Sequence, residues 1–257
     1  MAERLRPGLC SVTLRGRSSE DVIDLAVRSG LVGVEWGADH HVLPGDPDRA
    51  RAVARRTSDA GLVNASYGSY LFVPNAPPAA VEAVLDTAVA LGAPNVRVWT
   101  DWVGPDPDPA TRQAIVSQLA SIAARAAERS LTISLEFHPG TATETAASVL
   151  GLLQQVDAPN LFTYWQPPTG GSVPDLLASW RTVRHRTSHL HVFRWRSYED
   201  RQALAEGADL WPAVFAEPPA DERWRGDRFA FLEFVRGDDP DQLATDASVL
   251  RGWLASG

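Results

Sequence analysis

The chain has 257 residues, 44% of them hydrophobic, enough for one large domain with a full core. A formal charge of −8 and a pI near 5.2 argue against a nucleic-acid surface, which needs clustered basic residues. No apolar stretch approaches the roughly 18 residues of a membrane span and none follows the charged start, so the expected chain is soluble and cytoplasmic, with no nucleic-acid and no membrane partner.

Strand and helix signals alternate from end to end. A strand is expected around Leu9–Thr13, then a helix from about Ser19 to Ser29, with Ser18 or Ser19 as N-cap and Gly30 as stop signal. Val32–Trp36 reads as a second strand, followed by a polar loop to Asp48 and a helix over Arg49–Ala60 closed by Gly61. The third strand, Leu62–Ser66, leads into a loop YGSYLFVPN and a helix from Pro78 to about Leu91. Strand four is Asn95–Trp99. Pro105–Arg129 is loop and long helix, with Ile115, Leu119, Ile122 and Ala126 on one stripe.

Leu131–Phe137 is the fifth strand, and a helix follows over about Glu144–Val156. Leu161–Gln166 is the sixth, before a Pro/Gly loop and the helix Pro174–Arg184. His189–Phe193 is the seventh. A long excursion to about Asp227 comes next, with a short helix near Leu210–Phe215. Strand eight, Arg228–Val235, precedes a last helix with Leu243, Leu250 and Leu254 on one stripe. Eight such units without a linker imply an α/β fold, a single (β/α)8 TIM barrel occupying 1–257 as one domain, and about 250 residues is typical of that fold. A doubly wound open sheet is the alternative, but no GxGxxG or P-loop pattern follows any strand.

Two absences narrow the chemistry. All 24 basic residues are arginine, so no lysine is available for a Schiff base or a pyridoxal anchor. Cys10 is the single cysteine, which excludes an internal disulfide and a cysteine-rich zinc site. Acid–base chemistry therefore falls to carboxylates, histidines, tyrosines or metal-bound water.

In a barrel the active site lies where the strands end at their C-terminal face. There the chain offers Glu35 with Asp39, His40 and His41; Ser66, Tyr67 and Tyr70; Arg97, Trp99 and Asp101; Glu136 and His138; Gln166; His189 and His191; and Glu233. On the fifth strand, period-two alternation puts Thr132, Ser134, Glu136 and His138 on one face and Ile133, Leu135 and Phe137 on the other. Glu136, Gln166, His191 and Glu233 form a candidate divalent-metal set: carboxylate oxygen with one imidazole suits Mn or Mg, with Co or Zn as alternatives. Glu233 interrupts the apolar run FAFLEFV, where a glutamate must be paired, protonated or metal-bound. Against this stand plainer readings: a strand-end glutamate is commonly salt-bridged, His189 alone is commonly a satisfied core residue, and most of the tryptophans are packing.

The stretches GVEWGADHHVLPGD (Gly33–Asp46), SLEFHPGTATET (Ser134–Thr145), VDAPNLFTYWQPP (Val156–Pro168), HLHVF (His189–Phe193) and FLEFV (Phe231–Val235), in this order and spacing, resemble the sugar phosphate isomerase/epimerase superfamily, the xylose isomerase-like TIM barrels. The resemblance implies that Glu136 and Glu233 are the paired acid/base glutamates and that Glu136, Gln166, His191 and Glu233 hold a divalent metal cation. It also implies a small-molecule carbohydrate substrate, isomerised or epimerised through an enediolate. Glu35, His41, Tyr67, Arg97, Trp99, His138 and Arg194 are the expected substrate contacts. The chain departs from the family pattern on strand six, where Gln166 and Thr169 replace the aspartate and histidine of D-x-x-H, and after strand seven, where Phe193 and Arg194 replace lysine and aspartate. Two alternatives stay open: a lyase that dehydrates an inosose-type substrate, and a non-catalytic carbohydrate-binding barrel with a degenerate metal site. The excursion, with Trp195, Tyr198, Trp211 and Trp224, reads equally as a lid, a homodimer contact or packing.

Overall fold

Side-chain caps punctuate the chain. Ser18, Asp46, Asp108, Thr145 and Ser172 each accept a backbone N–H from the first turn of the helix that follows, satisfying donors that the helix cannot. In the computed structural model, which describes residues 5–221 and 223–256, these caps open α1 (Ser19–Arg28), α2 (Pro47–Asp59), α4 (Pro109–Ala127), α5 (Ala146–Val156) and α6 (Val173–Val183). The remaining helices are α3 (Pro78–Leu91), α7 (Trp211–Ala216) and α8 (Pro240–Ser256).

Between them run β1 (Leu5–Cys10), β2 (Gly33–Gly37), β3 (Val63–Val73), β4 (Asn95–Thr100), β5 (Thr132–Leu135), β6 (Leu161–Trp165), β7 (Thr187–Val192) and β8 (Arg228–Leu232). All are parallel and pair in sequence order. β1 closes the sheet on β8, with Leu5 opposite Arg228 and Leu9 opposite Leu232. The result is a closed eight-stranded barrel ringed by helices, as expected. No helix among the described residues is long and apolar enough to cross a membrane.

Alternation on the strands sorts side chains into two cores. Outward residues such as Val34, Trp36, Val96, Val98, Ile133, Leu135, Leu190 and Leu232 pack under the helix stripes, including the expected Ile115, Leu119, Ile122 and Ala126. Truncating a buried leucine of this layer, such as Leu119, to alanine costs about 2–5 kcal/mol. Inward residues Cys10, Ala65, Tyr164, Phe229 and Phe231 fill the barrel. Gly33 makes room for them, because a Cβ there would collide with the Phe229 ring. Beneath lies a polar layer in which Ser134 Oγ donates to Asn95 Oδ1 (2.8 Å) and lies 2.7 Å from Ser188 Oγ.

The structure ends β5, β6 and β8 at Leu135, Trp165 and Leu232, short of the expected Phe137, Gln166 and Val235, and it changes β1 and β3 more. β1 ends at Cys10, not Thr13, because Ser11–Leu14 turns into a short 3-10 helix. Its hydroxyls cross to neighbouring strand ends: Ser11 Oγ accepts Gly37 N–H (2.8 Å) and Thr13 Oγ1 accepts Phe234 N–H (2.9 Å). β3 continues to Val73 through the stretch expected as a loop. A bulge between Gly68 and Phe72 lets it pair again with β4, Phe72 opposite Trp99.

The excursion after β7 divides its aromatic residues. Trp211 is buried in the helix layer and donates to Phe193 O (2.9 Å). Trp224 packs on Phe162 and His189 inside the barrel (ring centroids 5.0 and 4.9 Å). Trp195 and Tyr198 line the mouth.

Candidate active site at the barrel mouth

Alternate positions carry the site out of the barrel core. Asn95, Arg97 and Trp99 follow one another along the inner face of β4; Ser134, Glu136 and His138 do so on β5, Tyr164 and Gln166 on β6, His189 and His191 on β7, and Phe231 and Glu233 on β8. Glu136, Gln166 and Glu233 are each the first residue beyond their strand, where the closed sheet opens to solvent.

Arg97 is at the centre. Only 2% of its side chain is exposed, and it bridges two glutamates: Nε donates to Glu35 Oε1 (2.9 Å) and Nη1 to Glu136 Oε2. Gly68 permits this, since a Cβ there would lie 2.6 Å from Arg97 Nη2 and 2.8 Å from Glu35 Oε1. Glu35 Oε1 also receives the Cys10 thiol (3.3 Å) and lies 3.3 Å from His191 Nε2. The other nitrogen of that ring, Nδ1, is 2.9 Å from Gln166 Oε1 and 3.4 Å from Glu233 Oε2.

Burial and charge pull these groups apart. Burial opposes ionisation of Glu35, but Arg97 and His191 outweigh it and hold its carboxyl well below the usual range. Burial pushes Glu136 up against the opposing pull of Arg97 and His191, and it pushes Glu233 up with the charge of Glu136 adding to it. For His191 burial disfavours the charged ring, yet Glu233 and Glu35 more than compensate and its pKa rises. Glu35 is thus a fixed anion, while Glu136 and Glu233 are carboxyls shifted toward neutral pH, as proton carriers require.

Three of the four expected ligands, Gln166, His191 and Glu233, come together at spacings that suit a divalent cation, while Glu136 has Oε2 on Arg97. Ligands each about 2.1 Å from one ion lie roughly 3.0–3.4 Å apart, which is the spacing of His191 Nδ1 from Gln166 Oε1 and Glu233 Oε2. A carboxylate on the far nitrogen of a ligating histidine is a recurrent metal-site feature, and Glu35 occupies that place. Ligation would require His191 neutral and all three carboxyls ionised; Glu35, Glu136 and Glu233 against Arg97 would then leave two negative charges, matching one dication. Cys10, His191 and Glu233 also converge within 4.8 Å. Burial and then Glu35 push the Cys10 thiol pKa well up, however, so it stays protonated and donates to Glu35 rather than ligating as a thiolate.

Above this cluster lies a cavity of about 200 Å³ whose wall includes Glu136, Gln166, Glu233, Arg97, Trp99 and His138. A neighbouring one of about 350 Å³ shares His138, Gln166, Trp195 and Tyr198 and reaches Thr169. His138 packs on Trp99 and Trp102 (centroids 4.3 and 5.3 Å). Burial keeps it neutral, with its pKa lowered. The Trp99 Nε1–H is buried without a hydrogen-bond partner among the described residues.

The other expected substrate contacts lie elsewhere. Glu35 is fully buried under the mouth, with Oε1 occupied by Arg97, His191 and Cys10. Tyr67 is in the outer core, its hydroxyl donating to Val42 O (2.7 Å). His41 packs on Trp36 and holds Arg17 O at 3.2 Å, tying the loop after β2 to that after β1. Arg194 pairs with Asp209 (3.2 Å). None of these four lines either cavity. The cavity wall instead includes Arg15 and Phe234, which the sequence reading passed over. Their signal in the sequence is weak: Arg15 lies beyond the first strand, and Phe234 reads as strand continuation.

A family model described as xylose isomerase-like TIM barrel matches residues 23–217. The chain belongs to the xylose isomerase-like TIM-barrel family. Solved members of this fold superpose on nearly the whole molecule. A probable 3-DHS dehydratase involved in petrobactin synthesis from Bacillus anthracis is 22% identical, with 96% of this chain and 99% of that one covered and a TM-score of 0.81. D-allulose 3-epimerase from Methylomonas sp., in complex with D-allulose, is 19% identical over 97% of each chain, with a TM-score of 0.66. An IOLI protein with a bound zinc atom is 12% identical over 98% of each chain, with a TM-score of 0.70. No curated protein matches the sequence.

Proposed function

We propose that this xylose isomerase-like barrel is a divalent-metal-dependent isomerase or epimerase of a sugar or polyol. The observation that carries the reading is the pair of buried glutamates, Glu136 on the β5 side and Glu233 on the β8 side, both shifted toward protonation and both lining one cavity. Glu136, Gln166, His191 and Glu233 would hold the metal; a bound dication supplies Lewis-acid polarisation of a carbonyl and its neighbouring hydroxyl. The zinc atom in IOLI and the allulose in the epimerase support this reading by analogy.

Within the chain each residue then has a task. One glutamate removes the proton from the carbon next to the carbonyl, and the other returns a proton to the enediolate. Arg97 fixes the Glu136 carboxylate by holding Oε2. Glu35 orients the His191 ring through Nε2, leaving Nδ1 toward Gln166 and Glu233. Trp99, His138, Trp195 and Tyr198 line the site with aromatic surface, which strengthens the charge interactions beside it. The Trp99 indole N–H, without a partner among the described residues, offers one donor for a substrate hydroxyl. A route by two glutamates also suits a chain without lysine.

A second reading keeps the same site and first step: the enediolate expels a β-hydroxyl and the enzyme is a dehydratase. The extensive superposition on the Bacillus anthracis dehydratase favours giving it a test. Incubation of the Mn²⁺-loaded protein with a panel of ketoses and inososes, read by mass and NMR, separates the two. Isomers of unchanged mass support the isomerase, and a product lighter by one water supports the dehydratase. Binding without conversion of any panel member would mean a non-catalytic carbohydrate-binding barrel and would overturn both.

A further inference from the structure

Beside the carboxylate cavity lies a second chamber of about 240 Å³, and the two share Val12, Arg15, Tyr198 and Phe234 in their walls. The chamber is lined by three guanidiniums, Arg15, Arg17 and Arg201, against one lining carboxylate, Asp238. Counting Asp39, which pairs with Arg15 (2.7 Å), still leaves it positive, in a chain whose formal charge is −8.

Two of these arginines are held in place but not saturated. Arg15 donates from Nε to Asp39 and from Nη2 to the Tyr70 hydroxyl (2.7 Å), leaving Nη1 without a hydrogen bond among the described residues. Arg201 donates from Nε to Tyr198 O (3.1 Å) and from Nη1 to Asp238 (2.7 Å), leaving Nη2 likewise. Arg201 is 12% exposed, so little water surrounds its charge. Both guanidiniums lie over the same ring, Phe234, at 5.2 Å for Arg15 and 4.5 Å for Arg201.

Phe234 itself has φ of 50°, in the left-handed region that a bulky L-residue rarely adopts. Thr13 Oγ1 holds its N–H (2.9 Å). This backbone conformation comes immediately after Glu233 and sets the ring where the two cavities meet. Strained residues of this kind concentrate at ligand clamps. A purely structural brace would need neither unspent N–H edges nor a cavity that shares its wall with the carboxylate site.

We propose that the substrate carries an anionic group, a carboxylate or a phosphate, which docks between Arg15 and Arg201 while the rest of the molecule reaches Glu136 and Glu233. The proposal rests on the reading of the mouth as a polyol site and names the substrate class: an acidic or phosphorylated sugar derivative. Fork-shaped guanidinium edges pair well with either anion, and desolvation by Phe234 and Tyr198 strengthens that pairing.

Calorimetric titration of the whole protein with sorbitol, gluconate and sorbitol 6-phosphate at fixed ionic strength tests this, because the three share a carbon skeleton and differ in the terminal group. One anionic ligand is expected to bind about tenfold tighter than sorbitol or better. Tighter gluconate identifies a carboxylate site and tighter sorbitol 6-phosphate a phosphate site. Arg15→Gln and Arg201→Gln should each narrow the gap, and together they should abolish it by weakening the anionic ligand, with the circular dichroism spectrum retained. If the double variant does not fold, Arg15→Lys decides, with a reduced preference expected. Equal affinity for all three ligands, no anion binding, or a preference unchanged in the variants would overturn the proposal. The readout is binding, so a protein that prefers anions but converts nothing would sink the catalytic reading and leave this one standing.

Discussion

Arg97 and His189 show how far the residue type alone misleads. Arg97 reads as a substrate contact, and it does line the cavity, but its larger task is to hold two buried glutamates at once. No sequence pattern announces that, because β2, β4 and β5 come together only when the barrel closes. His189 reads more simply as a satisfied core residue; it does lie in the core, with its ring fully buried and its Nδ1 accepting the Phe229 N–H (3.0 Å), but its Nε2 finds no hydrogen-bond partner among the described residues. Burial lowers its pKa to about 3 from the ordinary 6.5. Below pH 6.5 the unfolded chain takes up a proton that the folded protein refuses. Stability is therefore full above that pH and falls by about 1.4 kcal/mol per pH unit as pH drops toward 3. Urea unfolding at pH 7.0, 6.0 and 5.0 checks this against His189→Asn, which should lose that part of the slope; identical slopes would exclude the assignment.

At the scale of elements, the period-two alternation on β5 was legible in the sequence, because one strand face carries Ser134 and Glu136 and the other only apolar side chains. Irregular pairing was not. The run YGSYLFV looks like a loop because β3 is bulged, and the end of β1 was placed too far along because Ser11–Leu14 satisfies its own backbone as a 3-10 turn. The four aromatics of the excursion could not be sorted, since nothing in their spacing distinguishes the mouth from the helix layer or the barrel interior. Tight packing inside the barrel is also invisible in the sequence, although it has a measurable consequence. Gly33→Val on β2 would thrust a side chain into the Phe229 ring and should cost about 1–3 kcal/mol in chemical denaturation. An unchanged midpoint would mean that the β8 phenylalanines have room to move aside.

For the whole molecule, eight alternating strand–helix units are enough to indicate a closed barrel, because strand and helix signals alternate from end to end and five of the helices open on a side-chain cap. The site was legible as a list of strand ends, and less so as a division of labour. Glu35 was grouped with substrate contacts, yet it lies beneath the mouth against His191 Nε2. That position carries an expectation about the assembled protein. Mn²⁺ added to chelator-treated protein should raise the unfolding midpoint, by the equivalent of about 2.7 kcal/mol at a hundredfold excess over its Kd. Glu35→Gln should weaken Mn²⁺ affinity about 10–100-fold while the circular dichroism spectrum is retained. Unaltered affinity would show that His191 needs no carboxylate to orient it.

The central claim is that Glu136 and Glu233 exchange a proton with the carbon beside a carbonyl. Solvent-deuterium incorporation at that carbon, followed by NMR over the ketose and inosose panel with Mn²⁺ present, measures that step whether the product is an isomer, an epimer or a dehydrated sugar. The expected result is incorporation by the wild-type protein with at least one substrate and none above background with a folded Glu233→Gln variant. Full incorporation by that variant, or none by a fully metal-loaded wild type with any substrate, would contradict the account.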